Sequence, residues 1–135
     1  GDPEAQVVLP LIEGPIAQAF FDAATGALTN PGLTLATDKM VGVVAAAAGY
    51  PGKPMSGAVI TGLDEAAAVP DALVFHAGTK RSGDNLVTAG GRVLTITGRG
   101  TTFDAAMKTS YQAVSAVHFD GMQYRKDIGR KAKTT

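Results

Sequence analysis

Cysteine is absent from these 135 residues, which excludes disulfides, thiolate nucleophiles and cysteine-based zinc sites. Only two histidines are present, too few for an imidazole cage around a metal. Neither sign of charge is in excess, since 12 Lys+Arg against 12 Asp+Glu leaves no net charge at pH 7. Domains whose main partner is a phosphate backbone carry a basic surplus, so no nucleic-acid partner is expected. A bilayer-crossing run is missing too. The near-continuous apolar stretch from Met40 to Gly52 falls short of the about 20 residues a transmembrane helix needs, so no membrane partner is expected and buried strand is the better reading. The first residues include Asp2 and Glu4 and show no basic-then-apolar leader pattern, which fits a cytoplasmic origin. Phosphate-binding Walker loops, Gly-x-Gly-x-x-Gly cofactor turns and Ser-centred nucleophile elbows are all lacking.

What remains is globular. Apolar residues make up 45% and charged residues 18%, and a chain of this length buries roughly two-thirds of its unfolded surface as one domain. Asp2-Pro3-Glu4 predicts a helix start, with an acceptor at the cap and proline at the first helical position. Val8, Leu11 and Ile12 continue at helical spacing. After Gly14-Pro15 a second helix places Ile16, Ala19, Phe20 and Ala23 on one packed face and stops at Gly26. Strands are predicted at 33–36, at 40–48 (central, covered on both faces) and at 58–62, followed by a turn or two of helix at 63–69. Further strands follow at 73–76, 86–88 and 92–97, with Ser82-Gly83-Asp84-Asn85 as a hairpin turn. Thr101-Thr102-Phe103-Asp104 has a capping-box pattern, Asp replacing Glu, and opens a helix whose buried stripe is Phe103, Met107, Tyr111, Val114 and Val117. The sum is an α+β fold, with short helices, a mostly antiparallel sheet and a packed C-terminal helix.

Four constellations carry chemistry. Gly90-Gly91-Arg92 allows close backbone approach and then a guanidinium fork for phosphate or carboxylate; a tight turn with a surface arginine is the alternative. His76 and Thr79, with Lys80, sit where a strand opens into a loop, either converging on a polar substrate or serving structure alone. In Tyr124-Arg125-Lys126-Asp127-Ile128-Gly129 an aromatic residue and an isoleucine pin a charge cluster, so Arg125 or Lys126 is held against an anion or belongs to a solvated tail. Asp2 and Glu4 are candidate carboxylate contacts to an amine or Mg²⁺, in competition with helix capping.

Six collinear motifs bind these together: Gly1-Asp2-Pro3-Glu4 with Gln6, Gly49-Tyr50-Pro51-Gly52, Ile60-Thr61-Gly62, Phe75-His76-Ala77-Gly78-Thr79, Gly90-Gly91-Arg92-Val93-Leu94 and Tyr124 to Gly129. Together they resemble the phosphoribosylamine–glycine ligase (glycinamide ribonucleotide synthetase) family of purine biosynthesis across essentially the whole chain. The resemblance implies an ATP-dependent ligase, joining glycine to 5-phosphoribosylamine through a glycyl phosphate. It implies residues 1–36 as the terminal helical segment of an ATP-grasp region with its connection, and residues 37–135 as the C-terminal ligase domain. The family's magnesium ligands, a Glu and an Asn, fall upstream of residue 1. ATP and Mg²⁺ (or Mn²⁺) are therefore expected in the intact enzyme and none bound by this piece, whose partner is the remainder of the ligase chain. Substrate contacts are expected from Gly1, Asp2 and Glu4 beside glycine, and from His76, Thr79, Arg92, Arg125 and Lys126 toward the ribose phosphate and nucleotide. Thr25 to Asp38 and the Lys53–Ser56 loop have no clear counterpart. A non-catalytic accessory domain on an ATP-grasp core and a free-standing phosphometabolite-binding module remain the competing readings.

Overall fold

The computed structural model describes residue 1 and residues 3–134, the side chains of residues 133 and 134 excepted. Helix α1 (Glu4–Val8) runs into a 3-10 turn at Leu9–Leu11 and a short strand β1 (Ile12–Glu13). The helical spacing extends to Ile12, but Pro10 offers no amide for the ladder, and the α-helix stops before it. Asp2, the expected cap, lies outside the described residues, and Pro3 stands at the cap position. Helix α2 (Ile16–Thr25) ends at Gly26, which takes the left-handed conformation (φ 73°) that glycine adopts without penalty. Its expected packed face is a correction: Ala19 is buried and Ile16 half-buried, whereas Phe20 (59%) and Ala23 are exposed, as is the adjoining Phe21 (63%). Periodicity determines which residues share a helix face. It does not determine whether anything covers that face.

Strand β2 (Thr34–Leu35) pairs antiparallel with β1, Leu35 opposite Ile12. The main sheet contains β3 (Lys39–Ala46), β4 (Ala72–His76) and β7 (Arg92–Gly100), in spatial order β3-β7-β4 and antiparallel throughout. The apolar run at 40–48 predicts a central strand, yet β7 is central and β3 lies at the edge. Burial of β3 comes from layers rather than neighbours. Helix α4 (Phe103–Ala116) covers one face and α1 the other, while Ala46 bridges to Gln123 along the free edge. An edge strand sandwiched this way needs the composition of a central one. Residues 58–62 form only isolated bridges, Val59 with Val87 and Thr61 with His118, and lead into a short helix α3 (Leu63–Ala67). The predicted hairpin turn is present between β5 (Thr79–Ser82), a strand the sequence reading did not include, and β6 (Asn85–Thr88), with Ser82 opposite Asn85.

The core lies between the sheet and α4, where Val43, Leu94, Ile96, Val114 and Phe119 are fully or almost fully enclosed. The small residues Ala106, Ser110 and Ala113 turn toward the sheet, and the Ser110 hydroxyl donates to the Ile96 carbonyl at 2.9 Å. Opposite them β7 carries glycine. A Cβ on Gly98 would overlap the Ser110 amide nitrogen and the Ala106 carbonyl oxygen, so helix and strand meet backbone to backbone.

The cap of α4 is Thr102, whose hydroxyl accepts from the Ala105 amide at 3.2 Å. This moves the anticipated capping box by one residue and leaves Asp104 in the first turn, where a carboxylate faces the positive end of the helix dipole. Thr102→Ala is expected to cost about 1 kcal/mol, lowering the melting temperature by roughly 3–6 °C. Thermal unfolding followed by circular dichroism checks it, and an unchanged midpoint would show the cap to be idle. The architecture is α+β, as predicted, and among the described residues no helix is long and apolar enough to cross a membrane.

Candidate functional site

Alternate residues of a strand point to opposite faces. Val43 and Ala45 enter the core under α4, so Gly42, Val44 and Ala46 present the other face. These small side chains form the wall of a cleft of about 450 Å³, bordered by Arg92, Arg125, Tyr50 and Tyr124. Pro3, Gln123 and Ile128 complete its lining. Chain segments more than thirty residues apart in sequence thus place two guanidinium-bearing side chains on one opening.

Arg92 is positioned by glycine chemistry. The Gly78 amide donates to the Arg92 carbonyl at 2.9 Å, and the Ala89 amide donates to the Gly78 carbonyl at 2.7 Å. A Cβ on Gly78 would sit 2.8 Å from the Gly90 Cα, so the Ala77-Gly78 and Gly90-Gly91 stretches cross with no room for side chains. Gly91 in turn accepts the Ala47 amide at 2.8 Å, and any side chain at 91 would run into the Tyr50 ring. Two motifs separated in sequence are therefore one interlocked structure. Gln123 fastens the Tyr50 loop from the far side, its amide donating to the Ala47 carbonyl at 3.0 Å and the Tyr50 carbonyl at 2.9 Å.

Arg125 projects from the turn that follows Tyr124. Its guanidinium grips the Asp127 carboxylate through both oxygens, Nε to Oδ1 at 2.9 Å and Nη2 to Oδ2 at 2.7 Å. The Tyr111 hydroxyl donates to the Arg125 carbonyl at 2.9 Å and accepts the Ile128 amide at 3.0 Å. The hydrogen bond from Arg125 is the largest influence on the Asp127 carboxyl and, with the Arg125 charge, holds it below the ordinary carboxylate range against desolvation, which ranks second and pushes the other way. The Arg125 guanidinium is raised for the same reasons, hydrogen bond before charge. A depressed carboxyl contributes where it is ionised: fully above the unfolded carboxylate value, fading only as pH falls through the lower folded one. The fork on Arg125 is accordingly intact at neutral and mildly acidic pH.

None of the other expected site residues whose place is described lines this cleft. His76 bonds Thr79, Nδ1 to Oγ1 at 3.2 Å, and lines a separate groove of about 500 Å³ with Asp64, Arg81 and Asp84. Lys126 borders a third recess of about 260 Å³ with Lys108, Tyr111 and Arg130. Glu4 lies in a neighbouring recess that shares Pro3, Gly42 and Ile128 with the main cleft. The Gly1 carbonyl accepts the Ala5 amide at 2.9 Å, and Asp2 is outside the described residues. The structure thus brings Arg92 and Arg125 together and leaves His76 and Lys126 on other openings. Sequence reasoning missed the supports: Gln123, which carried no signal of its own, and Tyr111, whose place in an apolar helical stripe hid its hydroxyl.

The domain thus presents a cleft beside a sheet edge with two arginines on its rim, and a guanidinium is chemically suited to phosphate or carboxylate. Comparison with known proteins makes this specific. Residues 40–131 match the profile of the family described as phosphoribosylglycinamide synthetase, C domain. The chain is 47% identical to the phosphoribosylamine–glycine ligase of Streptomyces coelicolor, over 98% of this chain and 32% of that protein. It is 43% identical to a bifunctional purine biosynthetic protein of Dictyostelium discoideum, over 98% of this chain and 16% of that one. The crystal structure of the Thermotoga maritima phosphoribosylamine–glycine ligase superposes with a TM-score of 0.79 at 35% identity, covering 94% of this chain and 30% of that one. The chain belongs to the phosphoribosylglycinamide synthetase C-domain family, and it spans about a third of the length of the single-function ligases it matches.

Proposed function

We propose that these residues form the C-terminal, substrate-facing part of a cytoplasmic phosphoribosylamine–glycine ligase, an ATP-dependent carbon–nitrogen ligase of purine synthesis. The reaction it serves joins glycine to 5-phosphoribosylamine through glycyl phosphate, with ATP and Mg²⁺ or Mn²⁺ held by the remainder of the ligase chain. No three His, Asp or Glu side chains gather to hold a metal among the described residues, so the residues present do not fit the ion, and the share assigned to this chain is binding and orientation. The observation that carries the reading is the common cleft of Arg92 and Arg125. A hydrogen bond to a charged group contributes about 1.5–3 kcal/mol, while enzymes lower barriers by about 8 kcal/mol or more. Two arginines therefore suit a sugar phosphate well and leave most of the catalysis to be supplied elsewhere.

Gly1, Asp2 and Glu4 are assigned to the glycine side of the site, supported by Pro3 lining the cleft and Glu4 the recess next to it. His76, Thr79 and Lys126 are assigned to contacts toward the ribose phosphate and nucleotide on the strength of their motifs, although His76 and Lys126 open onto grooves separate from the main cleft. Residues 1–36 are assigned to the end of the ATP-grasp region and residues 37–135 to the ligase domain. Support for that division comes from the family match beginning at residue 40 and from the exposed Phe20 and Phe21, an apolar pair of the kind that marks a covered surface.

Isolated residues 1–135 are expected to show no tight ATP binding by calorimetry and no ligation in a coupled ADP-release assay. The same residues, exchanged for the corresponding third of the Streptomyces coelicolor ligase, are expected to sustain ligation. Turnover by the isolated chain would overturn the division of labour. A folded chimera without ligase activity would overturn the function.

A further inference from the structure

We infer that Tyr111 is a positioning residue for the anionic substrate, acting through Arg125; the inference rests on the reading of the cleft given above. One phenolic oxygen makes both hydrogen bonds that close the 125–128 turn onto α4: it donates to the Arg125 carbonyl at 2.9 Å and accepts the Ile128 amide at 3.0 Å. Two further contacts leave the turn little freedom. Gly129 takes φ +81°, and a Cβ there would come within 2.7 Å of the Met107 sulfur, so the end of the turn lies flat against the same helix. Tyr124, at its start, tilts its ring toward that of Tyr111, with centroids 6.4 Å apart. Within this frame the Arg125 side chain is the exposed member, 73% accessible and held by Asp127 among the hydrogen bonds described above.

The physical consequence follows from geometry. A guanidinium fork recognises a phosphate or carboxylate only when its plane and reach match the anion. A long exposed side chain on a loose turn would lose rotamer freedom on binding, and a turn already fixed at both ends lowers that cost before the substrate arrives. Phenylalanine at 111 keeps the ring, its contact with Tyr124 and its partial burial, and removes only the oxygen. The Arg125 carbonyl and the Ile128 amide then pair with water, and the turn keeps only its packing contacts with α4. Binding of the anion suffers, while the groups that perform the chemistry, which lie elsewhere in the ligase, do not change.

The test is a double-mutant cycle in an intact ligase carrying this segment, with 5-phosphoribosylamine generated in situ as the varied substrate. Tyr111→Phe is expected to raise KM for that amine about tenfold, more than it lowers kcat, while leaving KM for ATP within about twofold; Arg125→Ala is expected to raise the same KM at least as far. In the Arg125→Ala background Tyr111→Phe should add little, because coupled residues are non-additive. Fully additive effects, or an unchanged KM in Tyr111→Phe, would overturn the positioning role. A Tyr111→Phe chain that fails to fold counts against it equally, since the hydroxyl would then be a general stability element. An unchanged KM in Arg125→Ala itself would instead overturn the reading of the cleft, so the two failures are distinguishable.

Discussion

Replacement of Arg92 by alanine in the intact ligase is expected to raise KM for 5-phosphoribosylamine by between about tenfold and about a hundredfold, the equivalent of about 1.5–3 kcal/mol for one charge-assisted contact. The residue is suited to this role because its backbone cannot move. Its carbonyl accepts the Gly78 amide at 2.9 Å, and the preceding residue, Gly91, accepts the Ala47 amide at 2.8 Å. The side chain therefore leaves a fixed point on the rim of the cleft that Arg125 shares. Arg92→Lys is expected to recover part of the loss, since the charge returns without the two-pronged geometry. Steady-state kinetics on both variants checks this, with the glycine KM as internal control. Equal KM values for wild type and Arg92→Ala would detach Arg92 from the substrate site, and recovery to wild-type values in Arg92→Lys would show that charge alone is read.

The largest stability effect is expected at Gly98. It lies near the C-terminal end of the central strand, opposite Val41 on β3 and Ala72 at the start of β4. A Cβ there would overlap the backbone of α4 at Ser110 and Ala106. Ordinary overpacking of a core costs about 1–3 kcal/mol, because neighbouring side chains can adjust. Backbone atoms of a fourteen-residue helix cannot adjust singly. Gly98→Val is thus expected to displace the helix and forfeit several contacts with β7, at a cost above about 3 kcal/mol out of a total of about 5–15 kcal/mol. A fall in melting temperature of roughly 10 °C or more, or loss of soluble protein, is the expected readout. A near-wild-type midpoint would mean that α4 does not approach β7 as closely as described.

Helix α2, the turn of the β5–β6 hairpin and helix α4 were all legible in the chain, because each is announced by local chemistry: Gly26 at a left-handed terminus, Gly83-Asp84 in a two-residue turn, Thr102 at a cap. The rank of the strands was not. The apolar composition at 40–48 is that of a strand enclosed on both faces, and β3 is so enclosed, but it gains that cover from α1 and α4 rather than from two flanking strands. Hydrophobicity reports enclosure and is blind to which element provides it. The same blindness explains Phe20 and Phe21, correctly placed on a helix and yet exposed.

For the site, residue type and motif order were enough to single out the arginines and the glycines beside them, and to point to a ligase of this family. That much is local, since a guanidinium suits an anion and paired glycines permit a close crossing wherever they occur. The grouping was legible only in part, since the motifs placed Arg92, Arg125, His76, Thr79 and Lys126 on one face and only the two arginines share the cleft. Arg92 and Arg125 meet on one opening, while His76, two residues ahead of the crossing at Gly78, turns to another. Such proximity is set by register between β3, β7 and β4 and by the Tyr111 clamp on a distant turn. These are interactions between residues far apart along the chain, and they take effect only once the sheet and α4 have packed.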